Sequence, residues 1–356
     1  DQIMDYLQQS KALFASATGE QSLATAKVKS DIGNYYRYQG KLGDAEPLLK
    51  DVLDVRSATL GAEHPLYVQS QEDMAILRWK QLNLKEAATL YKTVMDQTVG
   101  FINRYFGPMS DNEKSRYWDI LSPRFERYYN FVADAGAANP SLIRDLLEYR
   151  MAVKGLLLNS TRAISQAIAN SGDVQLQGDY RTWTDLKQML SRLYTYSKEE
   201  LQEQQIDADS IESAANTLEK SLSERSKAFA QFLFASHTGT DDFKQVLQPG
   251  EALVELIRFR KFGEVLGPEG RYAALVIGNG DAQPKMILLD KGPDMEDAWA
   301  RSYRISMKNR LNDEQSWLRY WAPVEAALAG RKKVYVSPDG VYSQINLNTL
   351  KKPGGG

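Results

Sequence analysis

Cysteine is absent from the 356 residues, which excludes disulfides, thiolate metal sites, iron–sulfur clusters and a thiol nucleophile from this chain. Histidine is scarce: His64 and His237 are the two present, so a site built on several imidazoles is excluded as well. No apolar run approaches the roughly 20 residues that span a bilayer, and no membrane partner is expected. Neither sign of charge is in excess, with 44 Lys+Arg against 46 Asp+Glu, and no nucleic-acid partner is expected. The phosphate-cradling glycine loop is missing. Gly278-Asn279-Gly280 lacks the third glycine of a dinucleotide fingerprint and reads as a turn. Asp241-Asp242 and Glu199-Glu200 are acidic neighbours without a second ligand cluster, so no metal and no cofactor are expected. The first residue is Asp1, and the last six run Lys351-Lys352-Pro353-Gly354-Gly355-Gly356. Both ends read as fragment ends, and the setting is expected to be cytoplasmic.

What is present is ordinary globular composition, 43% hydrophobic and 25% charged, over a length that calls for two or three units. A repeat organises the first of them. Tyr38-Gln-Gly-Lys-Leu42-Gly-Asp-Ala45-Glu46 reappears 42 residues later as Lys80-Gln-Leu-Asn-Leu84-Lys-Glu-Ala87-Ala88. Ile32, Gly33, Tyr36, Leu49 and Val52 fall opposite Met74, Ala75, Arg78, Tyr91 and Val94. Small residues at 33, 45, 75 and 87 let two helices approach closely, and the large ones fill the remaining space. The pattern resembles the tetratricopeptide repeat, two antiparallel helices per unit, with Arg78 in place of an expected aromatic. The period exceeds the usual length because of the loop Leu60-Gly61-Ala62-Glu63-His64-Pro65, which is similar to the long-repeat variety of kinesin light chains. Gly61 is expected to end one helix and Pro65 to start the next, which makes His64 a capping residue. Tyr105-Phe106-Gly107-Pro108 reads as the same punctuation after the second repeat.

Further helices are expected from Ser110 to about Thr240: residues 116–133 with Tyr117, Trp118, Leu121, Phe125, Tyr128, Tyr129 and Val132 on a buried face, a helix opened by Asn139-Pro140-Ser141, and amphipathic helices over 179–203 and 209–234. Asn159-Ser160-Thr161 is a glycosylation sequon by letter and lies within a helical pattern. The period then changes. Strands are expected over 252–259, 272–277, 285–289 and 333–337, with a loop over 263–270 and a helical stretch over 294–328 broken near Leu311-Asn312. Arg258, Arg260 and Lys261 are expected to be a solvated strand end, and Arg331-Lys332-Lys333 a charged strand entry.

The order of these parts, with Glu148-Tyr-Arg-Met-Ala-Val-Lys-Gly-Leu-Leu-Leu158, Leu247-Gln-Pro-Gly-Glu-Ala-Leu-Val-Glu255, Trp321-Ala-Pro-Val-Glu325 and Val334-Tyr-Val-Ser-Pro-Asp-Gly-Val-Tyr-Ser-Gln-Ile-Asn-Leu347, resembles the CHAT family, caspase-like domains that commonly follow tetratricopeptide repeats. The resemblance implies a fold class of α+α/β. Its parts are a repeat-type α-solenoid over 1–108, an additional helical region over 109–240 and the opening strands of a caspase-like α/β domain over 241–356. It also implies a clan of cysteine endopeptidases working through a His–Cys dyad, with the His in a His-Gly motif and the Cys after the next strand. His237 is followed by Thr and precedes the first strand, and cysteine is absent, so no residue of this chain is assigned a catalytic role. The remainder of the CHAT domain is then one expected partner, and a non-catalytic repeat scaffold is the alternative.

The other expected partner is a protein or peptide on the concave face that the first helix of each repeat builds. The candidate contacts are Asn34, Arg37, Tyr38, Gln69, Glu72, Trp79 and Lys80, flanked by Lys27, Ser30 and Ile76, with Tyr38 and Trp79 as aromatic anchors.

Overall fold

The computed structural model describes residues 2–106, 111–158, 167–193, 196–226, 229, 246–328 and 330–354. The expectations for Gly107-Pro108, Asn159–Thr161, His237 and Asp241-Asp242 lie outside them. Two compact units form, and each takes two stretches of chain: Asp1–Asp119 with Ala152–His237, and Ile120–Met151 with Thr238–Gly356. They cut across the contiguous segments 1–108, 109–240 and 241–356, because residues 120–151 pack with the strands.

The first unit holds α1 (Gln2–Thr18), α2 (Leu23–Tyr38), α3 (Leu42–Leu60), α4 (Pro65–Lys80) and α5 (Leu84–Tyr105). Each inner helix starts on a side-chain cap. Ser22 accepts from the Thr25 amide ahead of α2, and His64 Nδ1 accepts from the Leu66 amide at 3.1 Å ahead of α4, with Pro65 as the first helical residue. His64 is therefore a cap, as its loop position implies. Gly61 closes α3 at φ +83°, a conformation glycine adopts without strain. Helix α3 packs on α2 and on α4, and α4 on α5. The small residues sit where they were expected: Ala45, Ala75 and Ala87 are fully buried, and a Cβ at Gly33 would stand 2.8 Å from Leu49 Cδ2. Leu49, Met74 and Leu77 close over Ala45. Arg78, the departure from the aromatic pattern, makes ion pairs instead, with Glu46 at 2.7 Å and Glu86 at 2.9 Å.

The same unit holds α8 (Val174–Leu193), α9 (Lys198–Glu203) and α10 (Ala208–Arg225). The single helix expected over 179–203 is two. Ser197 and Glu200 form a reciprocal capping box that starts a new helix at Lys198. The described part of the helix expected over 209–234 ends at Arg225, with Ser226 as its cap. Trp183 of α8 packs edge-on against Phe229, and its indole N–H donates to Glu219 of α10 at 3.2 Å.

Helices α6 (Asp111–Ala135) and α7 (Ser141–Leu158) each contribute residues to both units. In the second unit, residues 120–151 of this pair pack with β1 and β2 of a four-stranded sheet of β1 (Glu251–Phe262), β2 (Leu266–Gly278), β3 (Lys285–Leu289) and β4 (Lys333–Ser337). The strand order is β3-β2-β1-β4, with β1 antiparallel to β2 and parallel to β4. The loop expected over 263–270 is shorter: the hairpin ladder runs on to a Phe262–Leu266 pair through an irregularity after Arg260, leaving residues 263–265 as the connection. On one face Ala252, Val254 and Leu256 of β1 and Tyr272, Ala274 and Val276 of β2 pack under Met295, Tyr303, Tyr320, Val324 and Tyr342. The helical stretch expected over 294–328 runs from Gly292 to Lys308, with a π-helical turn at Met295–Trp299, and resumes at Glu314–Tyr320. It breaks where anticipated, with Arg310 at φ +52° and Asp313 capping the restart. Both faces of β1 and β2 are covered, which is why their buried runs are continuous and not alternating. Among the described residues no helix is long and apolar enough to cross a membrane.

Candidate functional site: the inner face of the repeats

Helices α2 and α4 bring Asn34, Arg37, Gln69 and Glu72 of the sequence-selected residues into one polar cluster, while no contact shown here draws Tyr38, Trp79 or Lys80 into it. Asn34 Oδ1 accepts from Arg37 Nε at 3.2 Å and Nη2 at 3.1 Å, one helical turn apart. On α4, Gln69 Nε2 donates to Asp73 Oδ1 at 3.2 Å. Asn34 also hydrogen-bonds Asp73, so the carboxylate joins the two helices. Glu72 is fully buried beside it, and Arg37 and Trp79 are each 8% exposed. Lys80 is half-buried and Tyr38 is 55% exposed. Of the flanking positions, Lys27 is exposed and pairs with Asp31 at 3.6 Å, while Ser30 and Ile76 are buried.

The chemistry of the cluster is set by burial. Burial pushes the Asp73 carboxyl above its usual range, and the neighbouring Glu72 charge adds to this; Arg37, Asn34 and Gln69 oppose it. Arg56 of α3 reaches α4 from the other side, donating to Ser70 Oγ at 2.8 Å and to the Leu66 carbonyl at 3.1 Å, and burial lowers its pKa. Arg37 Nη1 and Gln71 Oε1 are buried with no hydrogen-bond partner among the described residues. The arrangement offers hydrogen-bond donors and buried carboxylates for binding. Among the described residues no group of three or more His, Asp or Glu side chains is placed to hold a metal ion.

Asp73 is the residue sequence reasoning missed. Its repeat equivalent, Asp31, is exposed and paired with Lys27. The period therefore gave no sign that Asp73 is buried.

A second charged cluster lies in the sheet unit. Arg150 of α7 sends Nε to Glu255 Oε1 of β1 at 2.9 Å and Nη2 to Asp339 Oδ2 at 2.8 Å. Asp339 also accepts from the Arg258 amide at 3.2 Å and caps the turn through the Gly340 amide at 2.8 Å. Burial disfavours the Arg150 charge, but Tyr129, Glu255 and Asp339 outweigh it, and the guanidinium pKa rises. The Tyr129 phenol beside it is pushed up to about 12 by burial. Arg258 and Arg260 are not the solvated strand end expected of them. Arg258 pairs with Glu296 at 2.6 Å, and Tyr272 donates to the same carboxylate at 2.8 Å. Arg260 pairs with Glu126 of α6 at 2.9 Å. Lys261 remains exposed, 3.7 Å from Glu269. Arg331 closes the Gly278-Asn279-Gly280 turn through Asp281 at 2.6 Å.

Paired helices joined through small residues, with a polar inner face, define a helical-repeat architecture, one that generally binds other proteins. The Tetratricopeptide repeat family model matches residues 24–97, the span of α2 to α5 apart from their outermost residues. No curated protein matches the chain.

Proposed function

We propose that this chain is the partner-binding arm and the opening part of a CHAT-type domain, and that the parent protein is a caspase-like cysteine endopeptidase whose catalytic His and Cys lie outside these residues. One observation carries the reading. Three of the stretches that resemble the family lie far apart in sequence, and each supplies one member of a single ion network around the buried Glu255: Arg150, Glu255 and Asp339. The segments behave as parts of one domain. In this reading the repeats receive a protein or peptide, with Tyr38 and Lys27 offering exposed contact and Asn34, Arg37, Gln69, Glu72, Trp79 and Lys80 forming the floor beneath. A cytoplasmic setting is part of the same reading.

The test is a peptidase assay on the complete polypeptide with denatured casein as substrate, before and after alkylation with iodoacetamide. Cleavage that alkylation abolishes supports the reading. A complete polypeptide without a downstream His-Gly and Cys, or casein left uncut, overturns the peptidase and leaves the scaffold.

A further inference from the structure

The sheet unit carries a cavity that neither the repeats nor the Arg150 network uses. It lies beside the edge strand β3, where the chain leaves Leu289 for the π-helical turn Met295–Trp299. Its volume is about 280 Å³, just below the roughly 300–1,000 Å³ of pockets that hold drug-sized ligands. Met295 and Leu289, 1% and 6% exposed, form its floor, with the half-buried Leu288 and Trp299 beside them. Lys291 and Asp290 are exposed at its mouth, and Arg319 is half-buried there.

The turn is what brings this lining together. Met295 and Trp299 are its first and last residues, and both face the cavity. Tyr320 Oη donates to the Met295 carbonyl at 2.7 Å, and its ring meets Trp299 edge-on at 6.3 Å. The Arg319 guanidinium lies over the same indole, 5.2 Å from the ring centroid. Turns of this type are rare and are frequently found at functional sites.

The charges at the mouth do not cancel. Asp290 is taken by Arg271 at 2.8 Å. Among the described residues neither Lys291 nor Arg319 forms an ion pair. Asp313 feels the Arg319 charge, but its carboxylate is held by the Ser316 amide at 3.0 Å and hydroxyl at 2.6 Å. The cavity therefore joins an apolar interior to two cations without a matching anion.

We propose that this cavity binds a small apolar carboxylate, with its hydrocarbon part on Met295, Leu289 and Leu288 and its charge between Lys291 and Arg319. A neutral hydrocarbon would leave the cations unmet, and an amine would face like charge. Inorganic phosphate has nothing to place on the apolar floor. A guanidinium presents two parallel donors to a carboxylate, and apolar walls strengthen the attraction. None of these residues enters the peptidase or partner-binding readings, so the inference stands apart from both.

The probe is octanoate, below its micellar concentration, titrated into the intact chain by isothermal calorimetry, with octylamine as the probe of opposite charge. Saturable octanoate binding to a single site is expected, with octylamine bound about tenfold more weakly. Lys291→Glu, at an exposed position, is expected to reverse that order. Arg319→Gln is expected to weaken octanoate about fivefold. Lys332→Glu removes an exposed cation outside the cavity and is expected to leave octanoate binding unchanged. Thermal unfolding without ligand checks that each variant is folded. Absence of saturable octanoate binding, equal binding of octylamine by the parent chain, or an unchanged preference in Lys291→Glu overturns the proposal. Unchanged octanoate affinity in Arg319→Gln overturns it too, as does a loss in Lys332→Glu as large as in Lys291→Glu, since binding would then follow net charge.

Discussion

The repeats and the sheet unit are held together by different kinds of contact. In α2 to α5 the determining residues recur at a fixed spacing: Gly33 with Ala75, Ala45 with Ala87, Leu49 with Tyr91. Most of the packing joins helices that are neighbours in sequence, as expected of a quasi-one-dimensional array, with Asn34 to Asp73 reaching from α2 to α4. In the sheet unit the contacts that fix the layers span 105 residues from Arg150 to Glu255, 189 from Arg150 to Asp339 and 134 from Glu126 to Arg260. The difference teaches where each unit is vulnerable. Added volume is expected to damage the repeats most, and loss of one ion the sheet unit.

The largest effect is expected at Arg150. Arg150→Met takes from the fully buried Glu255 the guanidinium that stands 2.9 Å from it, and removing one member of a buried pair costs about 3–5 kcal/mol. Urea denaturation followed by near-ultraviolet circular dichroism should show the sheet unit unfolding well before the repeats. The double variant Arg150→Met with Glu255→Leu should recover part of the loss, because it removes the buried carboxylate along with the ion pair. Co-unfolding of both units in Arg150→Met would break the contrast.

A middle effect is expected from added volume in the repeats. Gly33→Val places atoms where Leu49 Cδ2 stands 2.8 Å from the first added carbon, and overpacking of this kind costs about 1–3 kcal/mol. Leu49→Ala in the same chain should restore part of it by opening the space. Thermal unfolding of the single and double variants measures the recovery. Additive losses would show that Gly33 is not held against Leu49.

How much of this was legible in the sequence follows the same division. The period, the small residues and the Gly61–His64–Pro65 boundary are local or repeat at fixed spacing, so one chain displays them. The strands β3 and β4 were legible from their apolar runs. The extension of β2 back to Leu266 was not, because Gly267 and Gly270 read as loop residues and only cross-strand pairing with β1 makes them strand. The pairing of Arg258 with Glu296 and of Arg260 with Glu126 was hidden for a different reason: a charged residue at a strand end looks the same whether water or a distant carboxylate faces it. On the inner face, Arg37, Glu72 and Trp79 were selected as contact residues, but periodicity fixes which side of a helix a residue occupies and not how deeply it is buried.

The smallest effect concerns Asp73 and depends on pH. Burial, reinforced by Glu72, raises its folded pKa above the ordinary 3.8, so the folded state binds the proton more tightly than the unfolded chain does. Between 3.8 and the raised value the native state therefore holds more protons, and stability falls as pH rises through that window. Wherever Asp73 is ionised in the folded state, its charge is a net burden that Arg37, Asn34 and Gln69 offset only in part. Asp73→Asn keeps the shape and a hydrogen-bonding oxygen but cannot ionise. Its stability relative to the parent chain should increase from pH 4 to pH 7, measured as the difference in urea midpoints at each pH. Asp31→Asn, at the exposed equivalent position, is the surface control for the substitution itself. A flat difference for Asp73→Asn would mean that its charge is fully compensated on the inner face, and the two repeats would then be alike in their electrostatics as they are in their packing.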